Sequence, residues 1–131
     1  MVLVDTSIWV AYLRGTASSL IVRAMNKLLD RHEIAITPVI RLELLRGAST
    51  EEAGTLADAM VGLHQLPFEH PHWERADRLV MELRAKGLTL SFADLLIATS
   101  ALEHNIRLYH QDDTFETAAR CTSLKVYRPT P

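Results

Sequence analysis

Four carboxylates stand where a folded chain could collect them. Asp5 directly follows the apolar run Val2, Leu3 and Val4, and Glu43 lies about two turns into the helical pattern after a second apolar run, Ile34 to Ile36. Asp94 falls in the first turn of an apolar helix, and Asp112 follows the strand-like run Ile106 to Tyr109. Carboxylates brought within a few ångströms of one another cannot all stay ionised without a counter-charge. A divalent cation supplies it, and oxygen-only ligation suits Mg²⁺ or Mn²⁺, which take one or two direct carboxylates and keep several waters. Such an ion activates water and stabilises charge on a phosphoryl group, so the chemistry implied is phosphodiester hydrolysis. Each acid also has an ordinary use: Asp5, Thr6 and Ser7 suit an N-cap, Asp94 suits the helix dipole, Asp112 suits a turn, and Glu43 is an unexceptional helix residue.

Ser7, Arg14 and Arg46 are possible supports. The Ser7 hydroxyl either orients a water beside the acids or caps its helix. Arg14 and Arg46 each end a helix whose other residues approach the acids, positions from which a guanidinium can hold phosphate and which the helix dipole also favours. His64, His70 and His72 fall in one short stretch. Their spacing matches neither the i, i+4 pair of a helical metal site nor a common zinc pattern, so the expectation is surface histidines.

Positioning the acids requires alternating strands and helices. Ile8, Trp9, Tyr12 and Leu13 recur at helical spacing until Gly15, with Trp9 expected in the core. Ser18 or Ser19 opens a second helix that runs to about Arg31, and Thr37 with Pro38 opens a third, ending at Gly47. The Ser49 and Glu52 spacing opens a fourth, through Leu56, Met60 and Leu63. A brief strand is expected at Leu66 to Phe68. A helix from Pro71 should follow, with Trp73, Ala76, Val80 and Leu83 on its buried face and Gly87 at its close. Ser91 to His104 is apolar on nearly every side, as a central buried helix would be. Beyond Ile106 to Tyr109, Thr114 to Arg120 reads as a short helix and Lys125 to Tyr127 as a last strand. This alternation predicts an α/β fold in three layers, α/β/α, with a central, mainly parallel sheet flanked by helices.

The 131 residues suit one domain, 1–131, and 48% are hydrophobic, enough for a substantial core. A net charge of −2 gives no general basic field, so any RNA contact must be local. The single Cys121 excludes an internal disulfide. With no export signal at the start of the chain and no apolar run of the roughly 20 residues needed to span a bilayer, the expected setting is the cytoplasm, away from the membrane.

The ordered set DTSIWVAYLRG, PVIRLELLRG, LSFADLLIATSALEHN and IRLYHQDDTF resembles PIN-domain ribonucleases, specifically the VapC toxins of bacterial and archaeal toxin–antitoxin pairs, over essentially the whole chain. The resemblance implies a metal-dependent endoribonuclease with Asp5, Glu43, Asp94 and Asp112 as its acidic quartet. Asp5 and Asp94 are then direct ligands of Mg²⁺ or Mn²⁺, and Asp112 completes the metal set. It also implies a metal-activated water as nucleophile, an RNA substrate, a VapB-type antitoxin partner, and a homodimer that forms a hetero-oligomer with the antitoxin. Thr114 departs from a second acid that the family often carries two residues after the fourth. Asp113 lies one residue off that register, so a second metal is not assigned. His110 stands where Thr is more usual. Two other readings are a catalytically inactive PIN-like module that only binds protein, and a phosphatase with an aspartate nucleophile, though Ser7 stands where the latter needs a second Asp.

Overall fold

The computed structural model spans residues 1–131. Its elements are β1 (Val2–Val4), α1 (Thr6–Arg14), α2 (Ser19–Asp30), β2 (Ile34–Ile36), α3 (Pro38–Gly47), α4 (Thr50–Val61), β3 (His64–Gln65), α5 (His70–Ala85), α6 (Phe92–Glu103), β4 (Arg107–Tyr109) and α7 (Asp113–Cys121). The sheet is four-stranded and wholly parallel, in the order β3-β2-β1-β4. Successive residues of a strand face opposite sides, yet all three residues of β1 and all three of β2 are buried. Both faces of the sheet are therefore covered, and the layers are helix, sheet and helix, as expected.

The chain builds β1, β2 and β3 outward in one direction, then returns to lay β4 on the other side of β1. The order of connections thus reverses between β1 and β4. In open parallel sheets the crevice at such a reversal, outside the strand carboxyl ends, is where ligands bind. The residues that follow β1 and β4 are Asp5 and His110 to Asp112.

Helix starts follow the cap chemistry read from the sequence. Ser18, Thr37, Ser49 and Ser91 each accept the N–H of the residue three positions on, at 3.2–3.3 Å. Gly15 takes φ 73° after α1, a left-handed turn that costs an L side chain strain. In α6 every residue from Leu95 to Ala101 is buried, and the Thr99 hydroxyl donates to Leu95 O at 2.8 Å. Trp9 is buried in the core, as expected.

Five expectations need correction. The third strand is His64–Gln65, not Leu66 to Phe68, and α4 stops at Val61 before reaching Leu63. Gln65 Nε2 donates to Met60 O at 2.8 Å, tying the edge strand to the end of α4. The ladder finishes where Leu66 N–H donates to Ile36 O at 2.8 Å, just before Pro67, which has no N–H to give. The last strand is reduced to one parallel bridge between Leu108 and Val126. On α5 the buried face is His72, Ala76, Leu79 and Leu83, while Trp73 is 47% and Val80 39% exposed. His72 is therefore not a surface residue. Its Nδ1 accepts the Glu69 N–H at 2.6 Å at the helix start, and its ring packs against Phe68 and His104. His64 and His70 are exposed.

The middle and the first residue of α6 predict opposite outcomes. Ile97 is 0% exposed and Phe92 is 70% exposed. Ile97→Ala should cost about 3 kcal/mol through lost burial and a residual cavity. Phe92→Ala should change stability by no more than about 0.5 kcal/mol. Urea unfolding of the two variants measures both.

Candidate active site

Asp5 is fixed from both sides. Its N–H donates to Tyr109 O at 2.9 Å, extending the β1–β4 ladder by one bond, and its Oδ2 accepts from Ser7 N–H at 3.2 Å and Ser7 Oγ at 2.6 Å. Asp5 thus caps α1 through Oδ2, and the Thr6 N–H also faces the carboxylate. The Ser7 hydroxyl is committed to Asp5.

Glu43 reaches the same edge from α3. Its Oε1 accepts the Thr6 hydroxyl at 2.6 Å, across 37 positions of sequence. Thr6 is a site residue that the sequence reading passed over. Its signal was its place, next to Asp5 at a helix start, where a side chain must point back over the strand end.

Asp94 and Asp112 are held more loosely. Asp94 is half-buried at the third position of α6, with its N–H on Ser91 Oγ at 3.2 Å. Asp112 caps α7, its Oδ1 accepting from Thr114 N–H at 2.9 Å and Thr114 Oγ1 at 2.7 Å, while its own N–H donates to His110 Nδ1 at 3.0 Å. Thr114, conspicuous in the sequence as a missing acid, here orients Asp112.

The acids sense one another electrically. Burial pushes Asp5 above the usual carboxylate range, outweighing the donors from Ser7 and Thr6, and the charge of Glu43 adds to the rise. Burial likewise raises Asp94, and its next causes include repulsion from Asp5, Asp112 and Glu43 together. Asp112 is lowered, because the Thr114 donors favour its charged form. The Asp5–Tyr109 ladder bond and the Thr6–Glu43 bond set Asp5, Glu43 and the segment before Asp112 at one end of the sheet, and Asp94 is near enough to be raised by their charges.

The site is open rather than a closed cage. No three of its acids converge tightly enough to enclose an ion by themselves. This suits a small hard cation that retains waters and takes one or two carboxylates directly. Beside the acids, His110 Nδ1 is occupied by the Asp112 N–H, while its buried Nε2 lies 3.1 Å from Glu116 Oε1 without forming a hydrogen bond.

The two arginines differ. Arg14 is exposed at the end of α1 and lines a shallow pocket with Glu43, Leu44, Glu52 and Leu56. Arg46, exposed at the end of α3, lies outside that pocket. Neither forms an ion pair in this structure.

The PIN domain model matches residues 2–120. A VapC ribonuclease of Mycobacterium bovis, Mb1587, is 34% identical over 129 residues, covering 95% of this chain and 96% of the relative. The chain belongs to the PIN-domain family, with the VapC ribonucleases. Ribonuclease VapC18 of Mycobacterium tuberculosis is 31% identical over 124 residues, covering 91% and 88% of the two chains. Among solved structures, VapBC2 from Rickettsia felis bound to a promoter DNA fragment matches with TM-score 0.77 and 25% identity, covering 97% of this chain and 98% of that one. FitAcB from Neisseria gonorrhoeae matches the fold with TM-score 0.80 at 21% identity, covering 98% of each chain.

The raised acids have a consequence for stability. Asp5 and Asp94 hold protons in the folded chain at pH values where the unfolded chain, with carboxyl pKa values of about 4, has released them. Their contribution to stability is complete below that pH and is lost as pH rises through the raised values. Asp94→Asn removes the cost of its charge. Above the raised pKa, without metal, the variant should be the more stable, by at most on the order of 1 kcal/mol, because the half-exposed group is screened by solvent. Melting curves from pH 4 to 8 in chelator should show the parent losing its relative stability as pH rises. A variant less stable than the parent throughout would mean that Asp94 serves the helix start and not the acid cluster.

Proposed function

We propose that the chain is an Mg²⁺- or Mn²⁺-dependent endoribonuclease, the toxin component of a VapBC-type pair. The observation that carries this reading is Asp5 at the end of β1, bonded to the end of β4 just before Asp112, with Glu43 tied to the same place by Thr6; repulsion from these three acids helps to raise Asp94. Relatives named ribonucleases, 34% and 31% identical, support the choice of RNA as substrate.

The cation would be held directly by Asp5 and Asp94, with Asp112 completing the oxygen set through a bound water, since no three of the acids converge on one point. When bound, it supplies Lewis-acid stabilisation of the phosphoryl group and lowers the pKa of water. This chain's residues do the rest. Ser7 fixes Asp5 by occupying Oδ2, and Thr6 fixes Glu43 by occupying Oε1. Glu43 Oε2 remains to accept the proton of the attacking water. Asp112, held in its charged form by Thr114, is better suited to bind the cation than to act as base. Arg14, beside Glu43, is placed to meet a substrate phosphate. The phosphatase reading loses further ground here, because the group two residues after Asp5 is a hydroxyl that donates to it.

Purified protein freed of any partner should cleave RNA with Mg²⁺ or Mn²⁺ and not in excess chelator. Asp5→Ala and Asp94→Ala should each lower the rate by at least about 10²-fold, the scale on which an interaction that stabilises the transition state acts. Gel analysis of RNA fragments reads the result. Cleavage unaffected by chelator, or full activity in both variants, would sink the assignment.

The partner we propose is a VapB-type antitoxin, bound to a homodimer of this chain and blocking the site. Glu43, Glu51 and Glu52 stand among Leu13, Leu44 and Leu56 beside the acids, a surface suited to a segment that carries Arg and apolar residues. The similar Rickettsia felis structure is of a VapBC assembly. Changing Asp5, Glu43, Asp94 and Asp112 to amides should weaken antitoxin binding at least about tenfold, equivalent to about 1.4 kcal/mol. Equal affinity, measured by calorimetry, would exclude occlusion of the acid pocket as the inhibitory mechanism.

A further inference from the structure

His110 is the one ring set against the acid cluster, and both of its nitrogens face protein groups. Nδ1 accepts the main-chain N–H of Asp112 at 3.0 Å, so that nitrogen carries no proton and Nε2 carries the ring's one N–H. Nε2 lies 3.1 Å from Glu116 Oε1, a close contact without hydrogen-bond alignment, with the His110 side chain only 2% exposed. Glu116 in turn accepts two bonds from Arg128, NH1 to Oε1 at 3.2 Å and NH2 to Oε2 at 2.9 Å. The paired geometry fixes the carboxylate in orientation as well as in place. Phe115, fully buried, packs against the imidazole at 5.3 Å between centroids.

Arg128 is itself anchored. Leu108 N–H donates to Lys125 O at 2.9 Å and Tyr127 N–H to Leu108 O at 2.8 Å, binding the C-terminal segment to β4. The Tyr127 ring lies 5.0 Å from that of Tyr109 and takes the Arg107 guanidinium on its face at 4.9 Å. A continuous path of contacts therefore leads from the C-terminal segment through Arg128, Glu116 and His110 to the backbone of Asp112.

We infer that His110 is a positioning residue for Asp112, and that the Glu116–Arg128 pair locks its ring for that task. Thr114 orients the Asp112 carboxylate, while His110 holds the peptide from which it projects. Together they define Asp112 at the mouth of an open site, where the free chain would otherwise sample several conformations. The inference rests on the proposed cation site, since holding Asp112 matters most if it helps to bind the ion. Groups that orient a metal ligand are worth about 10- to 100-fold in affinity.

The test has two readouts. Amide exchange at Asp112, followed by NMR without metal, reports the main-chain bond directly. His110→Leu should exchange there at least about tenfold faster than the parent, while His110→Asn, whose side-chain oxygen can accept the same N–H, should keep most of the protection. Calorimetric titration with Mn²⁺ reports the consequence. His110→Leu should bind at least about tenfold more weakly, His110→Asn within about threefold of the parent, and Arg128→Ala between them. Arg128 is exposed, so this last variant probes the lock without opening the core. Unchanged Asp112 exchange in His110→Leu would overturn the inference, as would equal Mn²⁺ loss in the Leu and Asn variants. A parent that binds no Mn²⁺, or an Asp112→Asn variant that binds as well as the parent, would overturn the cation site instead, and the exchange measurement would still decide the role of His110.

Discussion

The structure depends on keeping Asp5 charged enough to be useful while it is almost wholly removed from water. Its carboxylate lies 5% exposed at the end of the central strand, with Glu43 adding repulsion. A buried carboxylate without donors would simply stay protonated. Here the start of α1 supplies donors, because the first turn of a helix has N–H groups to spare and Ser7 adds a hydroxyl. Helix capping and site formation are therefore one interaction. The cap engages Oδ2, so the same bond that starts the helix also orients the carboxylate at the strand end.

The other acids are each restrained by a different device. Glu43 is held by a hydroxyl from a neighbouring helix, Asp94 by its place in the first turn of a buried helix, and Asp112 by Thr114 and His110. No single loop carries the cluster, so its repulsion is spread over four elements packed on one core. That core includes β1, β2 and the middle of α6 with no exposed residue among them. The topology supplies the rest, since the reversal of strand order between β1 and β4 opens the sheet edge where Asp5 and Asp112 stand.

Most of the architecture was legible because it depended on local chemistry. Three hydroxyl caps, at Ser18, Thr37 and Ser49, the apolar runs of β1 and β2, and an α6 too hydrophobic to be exposed read directly from residue order. What was missed depended on partners. The edge strand at His64–Gln65 has no apolar signal, since its pairing comes from the neighbouring β2, and the apolar residues after it drew the expectation two positions late. Trp73 and Val80 looked like the inner face of α5, yet the helix is turned to bury His72 and Leu79 instead, a choice that lies in packing against α6 rather than in period. The four acids were visible as an ordered set, but Thr6 and the Glu116–Arg128 pair were not. Their roles arise from contacts across 37 and 12 positions, and the one local sign was the place of Thr6 beside Asp5.

The central strand pair joins these two kinds of information. Asp5 N–H donates to Tyr109 O, the last residue of β4, and the next residue is His110. The separation of Asp5 from the Asp112 segment is thus set by one main-chain bond that extends the β1–β4 ladder, and Gln111 Nε2 adds a longer contact to Ser7 O at 3.4 Å. A side-chain cluster on flexible loops would relieve its own repulsion by spreading. Here spreading would require breaking the ladder at its buried end, where an unpaired N–H and carbonyl would each carry a desolvation cost of about 1–3 kcal/mol. Repulsion among the acids is therefore stored in the site rather than relaxed, and a cation that binds there gains from relieving it.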